Sequence, residues 1–301
     1  MRLPVYILSL VVLSSSGSHL EVVVGVDDKG RATDQWLKML GRSGTAAMEK
    51  KLSSAEQAWA DLIHSRLDVW NDRRGVLAGP FDPIGPPERA LIVMGNRGGN
   101  DAFTHDPTTM GFDLSALQSA YGDATVPENR RRIDRFFDHE YTHLMQKAWL
   151  VDHPYPAQTP LRAALLDIWL EGLGNYRSLS DRWRAADGKA SPATLETLAV
   201  LEPRLVARMS ALACADADAA APLTTDLSEG KFEAKWGALP AALWLEGEVS
   251  GDPQALRRFV LAGPDGIWDL AARRLPGPLR DVLAEARTAA AMCSAQHGGL
   301  M

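Results

Sequence analysis

Three features of the sequence predict an α+β protein that is predominantly helical and carries one small sheet. Apolar residues recur at helical spacing over most of the chain, as in Trp59, Leu62, Ile63, Leu67 and Trp70. Between residues 89 and 114 the pattern changes to short apolar runs bounded by turn residues, led by Ala90-Leu91-Ile92-Val93-Met94. With 46% hydrophobic and 23% charged residues over 301 positions, the chain has the composition of a folded protein with one large or two modest domains.

Taken in order, Met1-Arg2, the apolar run Leu3–Leu13 and the small residues Ser14–Ser18 match a secretory signal peptide over residues 1–18. The run is shorter than the roughly 20 residues a spanning helix needs, so no stable transmembrane span is expected. A buried first strand is the alternative reading. The first implies an exported protein, periplasmic or secreted; the second implies a soluble cytoplasmic one. Glu21–Val26 is β-like and Asp27-Asp28-Lys29-Gly30 is a turn. From Thr33 to Arg74 the spacing is helical. Gly75, Gly79-Pro80, Pro83 and Gly85-Pro86-Pro87 then mark a boundary.

After the strand at 90–94 and a turn over Gly95–Asn100, Ala102-Phe103-Thr104 and Met110–Leu114 read as two further strands. Pro127 suits the first turn of a helix reaching about Leu150. The proline-rich stretch Val151–Pro160 is a loop, and Leu161 to about Arg184 is helical again. The remainder is Ala- and Leu-rich helix broken by prolines. This divides the chain into residues 1–18, an N-terminal helical segment over 19–75, a core over 76–185 and a helical C-terminal region over 186–301.

Charge excludes one class of function. Thirty-two Lys and Arg against thirty-eight Asp and Glu leave a net charge of −6. Arg130-Arg131-Arg132 is too short a basic run to mark a nucleic-acid surface. Cys214 and Cys293 are too few for a disulfide scaffold or a cysteine-rich zinc module. In an exported protein they could pair, and a loop that long would add about 4–5 kcal/mol in the chain-entropy model. The sequence alone does not decide whether they meet.

The segment that carries chemistry is Asp138-His139-Glu140-Tyr141-Thr142-His143, a His-Glu-x-x-His on a predicted helix. Residues four apart lie about 40° from each other around a helix, so the two imidazoles project together and can share one cation. Zinc takes imidazole nitrogens, and a catalytic zinc keeps a position open for water. Glu140 is placed to take that water's proton, and the metal lowers the water's pKa to about 7, within reach of a carboxylate base. Ile133, Phe137, Leu144 and Ala148 form an apolar stripe turned away from the histidines, so one face of the helix packs and the other lines a cleft.

Catalytic zinc takes a third protein ligand. His153 lies in the proline-rich loop; Asp167 and Glu171, four apart on one face of the next helix, are better placed. The stretch Asp167-Ile168-Trp169-Leu170-Glu171-Gly172-Leu173-Gly174-Asn175-Tyr176 resembles the Glu-Gly-aromatic/aliphatic-small-x-Tyr segment of gluzincin metallopeptidases. It is most similar to that of bacterial predicted zinc-dependent proteases. The resemblance covers roughly residues 90–180. It implies a zincin-like catalytic core over 76–185, a small sheet packed on the active-site helix, Glu171 as third ligand and Tyr176 near the site. Three departures stand out. The His143-to-Glu171 interval is longer than in aminopeptidase members, Trp169 is one residue closer to the glutamate, and no Gly-x-Met-Glu-Asn motif lies upstream.

Tyr176, Tyr155 and His105 are candidate donors to an oxyanion, and Asp138 and Asp167 are candidates to orient the imidazoles. The expected function is zinc-dependent hydrolysis of peptide bonds in a peptide or protein substrate. Zn2+ would sit on His139, His143 and Glu171, with a metal-activated water and Glu140 as general base. The alternatives are a catalytically weak or inactive zincin-fold binding module, and a metal-dependent hydrolase of a non-peptide amide or ester.

Overall fold

The computed structural model describes residues 19–42, 51–184 and 189–298, with side chains as far as 293. The predicted signal segment lies outside the described residues. Strand β1 (His19–Val24) leads into α1 (Asp34–Met39), α2 (Ser54–His64) and α3 (Leu67–Ala78). Strands β2 (Arg89–Gly95), β3 (Ala102–Asp106) and β4 (Thr109–Asp113) follow, and Asp113 caps α4 (Leu114–Tyr121) with its carboxylate. Two long helices, α5 (Pro127–Asp152) and α6 (Pro160–Ser178), each begin at a proline in the first turn. The C-terminal part holds α7 (Pro192–Leu212), α8 (Ala217–Ala220), α9 (Ala238–Val249), α10 (Gln254–Ala262), α11 (Gly266–Arg274) and α12 (Gly277–Gly298).

The chain is thus α+β and predominantly helical, as expected. The helical stretch before the core differs in detail: among the described residues it holds three short helices, with α2 opened by a capping box between Ser53 and Glu56.

The four strands form one mixed sheet in the order β1-β2-β4-β3. β1–β2 and β2–β4 are parallel, and β3–β4 is antiparallel. Period-two alternation sorts the side chains of β2 onto two faces. Ile92 and Met94 enter the main core with Phe112, Trp70 and Phe137, while Val93 packs on the other face with Trp36 and Met39 of α1. Trp70 stacks on Phe137 with ring centroids 4.5 Å apart, so α3 and α5 meet through flat aromatic surface. Of the predicted apolar stripe of α5, Ile133, Phe137 and Leu144 are fully buried and Ala148 is half-buried.

α6 lies between α5 and α9. Gly172 makes the second contact possible, since a Cβ there would sit 2.8 Å from that of Ala241. α9 is buried along Ala238–Leu245, the pattern of a helix enclosed on all sides. A disulfide between Cys214 and Cys293 ties the end of α7 to α12. Among the described residues no helix is long and apolar enough to cross a membrane.

Candidate metal centre

The two histidines of α5 and Glu171 of α6 come together as the spacing requires. Nε2 of His139 lies 2.9 Å from Nε2 of His143. The Glu171 carboxylate reaches both, with Oε1 3.2 Å from His143 and Oε2 3.6 Å from His139. One ligand atom from each residue fits within 4.8 Å of the others, so the group could hold a metal ion. A tetrahedral centre with bonds of about 2.0–2.2 Å sets neighbouring donors about 3.3–3.6 Å apart, and two nitrogens with one oxygen is a donor set zinc accepts. The residues present therefore fit such an ion.

Local structure fixes each donor. Nδ1 of His143 donates to Oε1 of Gln146 at 2.8 Å, and the amide nitrogen of Gln146 donates to the carbonyls of Trp169 and Leu170. Because the amide is anchored by its nitrogen, its oxygen must face the imidazole. His143 therefore keeps its Nδ1 proton, which leaves Nε2 as the lone-pair atom. The same amide bridges α5 to α6 beside Glu171. His139 is held from the other side: Nδ1 lies 3.4 Å from Oγ of Ser178, whose hydroxyl donates to the Asn175 carbonyl. Its ring packs against Gly174, where a Cβ would come within 2.8 Å of it. The glycine is what lets the imidazole lie on α6.

The electrostatics agree with a mutually stabilised pair. Burial pulls the His143 pKa down, but its bond to Glu171 and the charges of Glu171 and Glu140 more than offset this and raise it to about 9. Burial pushes Glu171 up, yet bonds to His139 and His143 carry it well below the usual carboxylate range.

Glu140 is 7% exposed, and its Oε2 accepts a 2.7 Å hydrogen bond from Oγ1 of Thr104 on β3. β3 is held in turn by Lys147, one helical turn past His143, whose ammonium donates to the carbonyls of Thr104 and His105 at 3.0 and 3.2 Å. All four motif residues line a cavity of about 830 Å3, walled by Phe103, Phe136 and Phe232 and crossed by charged groups such as Lys235. That is a volume suited to a ligand or a short peptide segment.

Other sequence-predicted residues fall elsewhere. Tyr176 does not share this cavity; it lines a second one on another face of α5, with Arg177 and Arg184. It follows Glu171 by five positions, which rotates it about 140° around α6. The Tyr155 hydroxyl donates to Asp265, and His105 meets the site only through its backbone carbonyl to Lys147. His153 stacks on Trp149, and its Nδ1 bonds that residue's carbonyl. Asp167 lines the metal cavity but is bonded to Ser228 at 2.6 Å, and Asp138 pairs with Arg73. Neither aspartate is hydrogen-bonded to an imidazole; Gln146 and Ser178 have that role. Sequence reasoning missed both. For Gln146 the available signal was its position three residues after His143, inside the helix carrying the motif.

Searches against family models, curated proteins and solved structures return no match to this chain.

Proposed function

We propose that the chain is a zinc-dependent peptidase in which His139, His143 and Glu171 hold the metal and Glu140 is the general base. The observation that carries this reading is the placement of Glu140: a buried carboxylate in the same cavity as the three convergent donors. A structural metal site has no use for a second, separately anchored carboxylate in the same cavity. When bound, zinc would supply a Lewis acid for the scissile carbonyl and an acidified water.

The chain's own residues do the rest. Glu140 takes the proton from the attacking water and returns it to the departing amine. Thr104 holds Glu140 at Oε2 and leaves Oε1 for this exchange. Gln146 and Ser178 keep the imidazole nitrogens turned inward. The resemblance of Glu171–Tyr176 to the gluzincin segment supports the same reading, and the Cys214–Cys293 disulfide suits the oxidising compartment that an exported protein would reach.

The decisive experiment measures zinc content and hydrolysis of denatured casein and a mixed fluorogenic peptide library, for the native protein and Glu140→Gln. Native protein with about one equivalent of zinc and activity, and E140Q with the same zinc and activity lower by about 10²–10⁴-fold, is the expected result. Equal activity in both would remove Glu140 as base. Stoichiometric zinc without hydrolysis in the native protein would favour the binding module, and hydrolysis of amide or ester substrates alone would favour the non-peptide hydrolase.

A further inference from the structure

The second cavity, about 420 Å3, lies on a different face of α5 from the metal cluster. Arg73, Arg177, Arg184 and Tyr176 line it together with Asp134, Asp138 and Asp181, of which Asp134 pairs with Arg66 and Asp138 with Arg73. Two of the arginines have carboxylate partners: Arg73 pairs with Asp138, and Arg184 lies 3.3 Å from Glu246. Arg177 is different. Among the described residues its guanidinium makes no hydrogen bond or ion pair; it lies over the face of Tyr176, 5.8 Å from the ring centroid. The Tyr176 hydroxyl also has no hydrogen-bond partner among the described residues. Burial lowers the Arg177 pKa; Tyr176 and Asp138 oppose the shift and the charges of Arg73 and Arg184 add to it, so a negative ligand would relieve the group.

We infer that this cavity binds a phosphate group, held by Arg177 with Arg73 and Arg184 and by the Tyr176 hydroxyl. The chemistry favours phosphate over carboxylate. Each guanidinium presents a planar fork; Arg73 retains N–H groups beyond the one used on Asp138, and Arg184 retains Nη1 beyond those used on Glu246 and on the Tyr176 carbonyl. Three forks and a phenol offer more donors than the two oxygens of a carboxylate can accept, whereas a tetrahedral phosphate can meet several at once. The cavity is larger than the ion itself, which leaves room for an organic group attached to it. The site shares no residue with the metal cluster and does not depend on the peptidase reading.

The test is calorimetric titration of the full chain, at low ionic strength, with inorganic phosphate and with O-phosphoserine. Saturable binding of either is expected, and the tighter one tells whether the natural source is the free ion or a phosphorylated compound. Arg177→Met should weaken binding by at least about tenfold, because it removes a charge-assisted contact, while leaving zinc content unchanged. Arg177→Lys retains the charge and loses the fork; an intermediate loss with unchanged circular dichroism shows that a folding defect is not responsible. No binding by the native chain overturns the inference. Binding undiminished in both Arg177 variants overturns it too, since the phosphate would then be held elsewhere than on Arg177.

Discussion

The two faces of α5 differ in what their side chains converge to offer. On one, His139, His143 and Glu171 bring ligand atoms within 4.8 Å of one another. On the other, Arg73, Arg177 and Arg184 line a shared cavity. α5 itself does not set this difference, since it contributes charged residues to both. Asp138 and His139 are neighbours in sequence and face different cavities. The sign is decided by α6, which sends Glu171 to one side and, six residues later and about 240° around the helix, Arg177 to the other. The second lining also needs Arg73 of α3 and Arg184, which follows the end of α6, so the helix pair divides the two cavities but does not build the second one alone.

The strongest way to break this comparison is His143→Ala. It removes a donor from a three-residue set, and zinc binding should fall by more than the 10–100-fold typical of losing an orienting partner. Phosphate binding should be unaffected, as zinc binding should be in R177M. Zinc content by atomic emission, with phosphate titration on the same preparations, reads both. Loss of both ligands from a variant whose circular dichroism is native would mean that the faces are coupled and that the division drawn here is wrong.

Gln146→Leu sharpens the picture at a smaller scale. It keeps the volume but removes the acceptor of the His143 Nδ1 proton and the tie to the Trp169 and Leu170 carbonyls. Zinc affinity should drop by about 10–100-fold, with the three donors still present. Competition with a chromophoric chelator measures it, and an unchanged affinity would show that packing alone holds the ring.

What was legible in the sequence follows from which interactions have a fixed spacing. The helix phase makes His139 and His143 neighbours wherever they occur, and puts Ile133, Phe137 and Leu144 in the core. Strands β2, β3 and β4 were readable from short apolar runs, but their order was not, because pairing is a long-range choice that places β4 between β2 and β3. Glu171 was reached through its resemblance and stands where that placed it. Tyr176, carried by the same resemblance, lines the other cavity, since a residue's distance in sequence says little until the helix phase is counted. Gln146 and Thr104 escaped because a mid-helix glutamine and a strand threonine have many ordinary uses. Only the approach of β3 and α6 to α5 gives them theirs. The disulfide joins residues 79 positions apart, and no local pattern reports a contact of that range.

The smallest expected effect separates the faces by pH. In metal-free protein the charged pair of His143 and Glu171 stabilises the fold. The His143 pKa rises from 6.5 to about 9 on folding, so its contribution is complete below 6.5 and is lost as pH climbs through about 9. Glu171 is shifted down from 4.5, so its contribution is present above 4.5 and is lost as the solution becomes more acidic. The pair is therefore fully effective between about 4.5 and 6.5 and fades on the alkaline side. On the other face burial raises Asp138 from 3.8 to about 7, partly offset by Arg73, so folding is progressively disfavoured as pH rises from 3.8 to about 7. Zinc competes with the His143 proton and not with the Asp138 proton. Its stabilisation should grow as pH rises toward 9, while the loss below 7 persists with or without it. Thermal midpoints from pH 4 to 9.5, with zinc and with chelator, resolve the two. Glu171→Gln should remove the alkaline loss and spare the other. An alkaline loss of the same size in that variant would place its origin outside the metal centre.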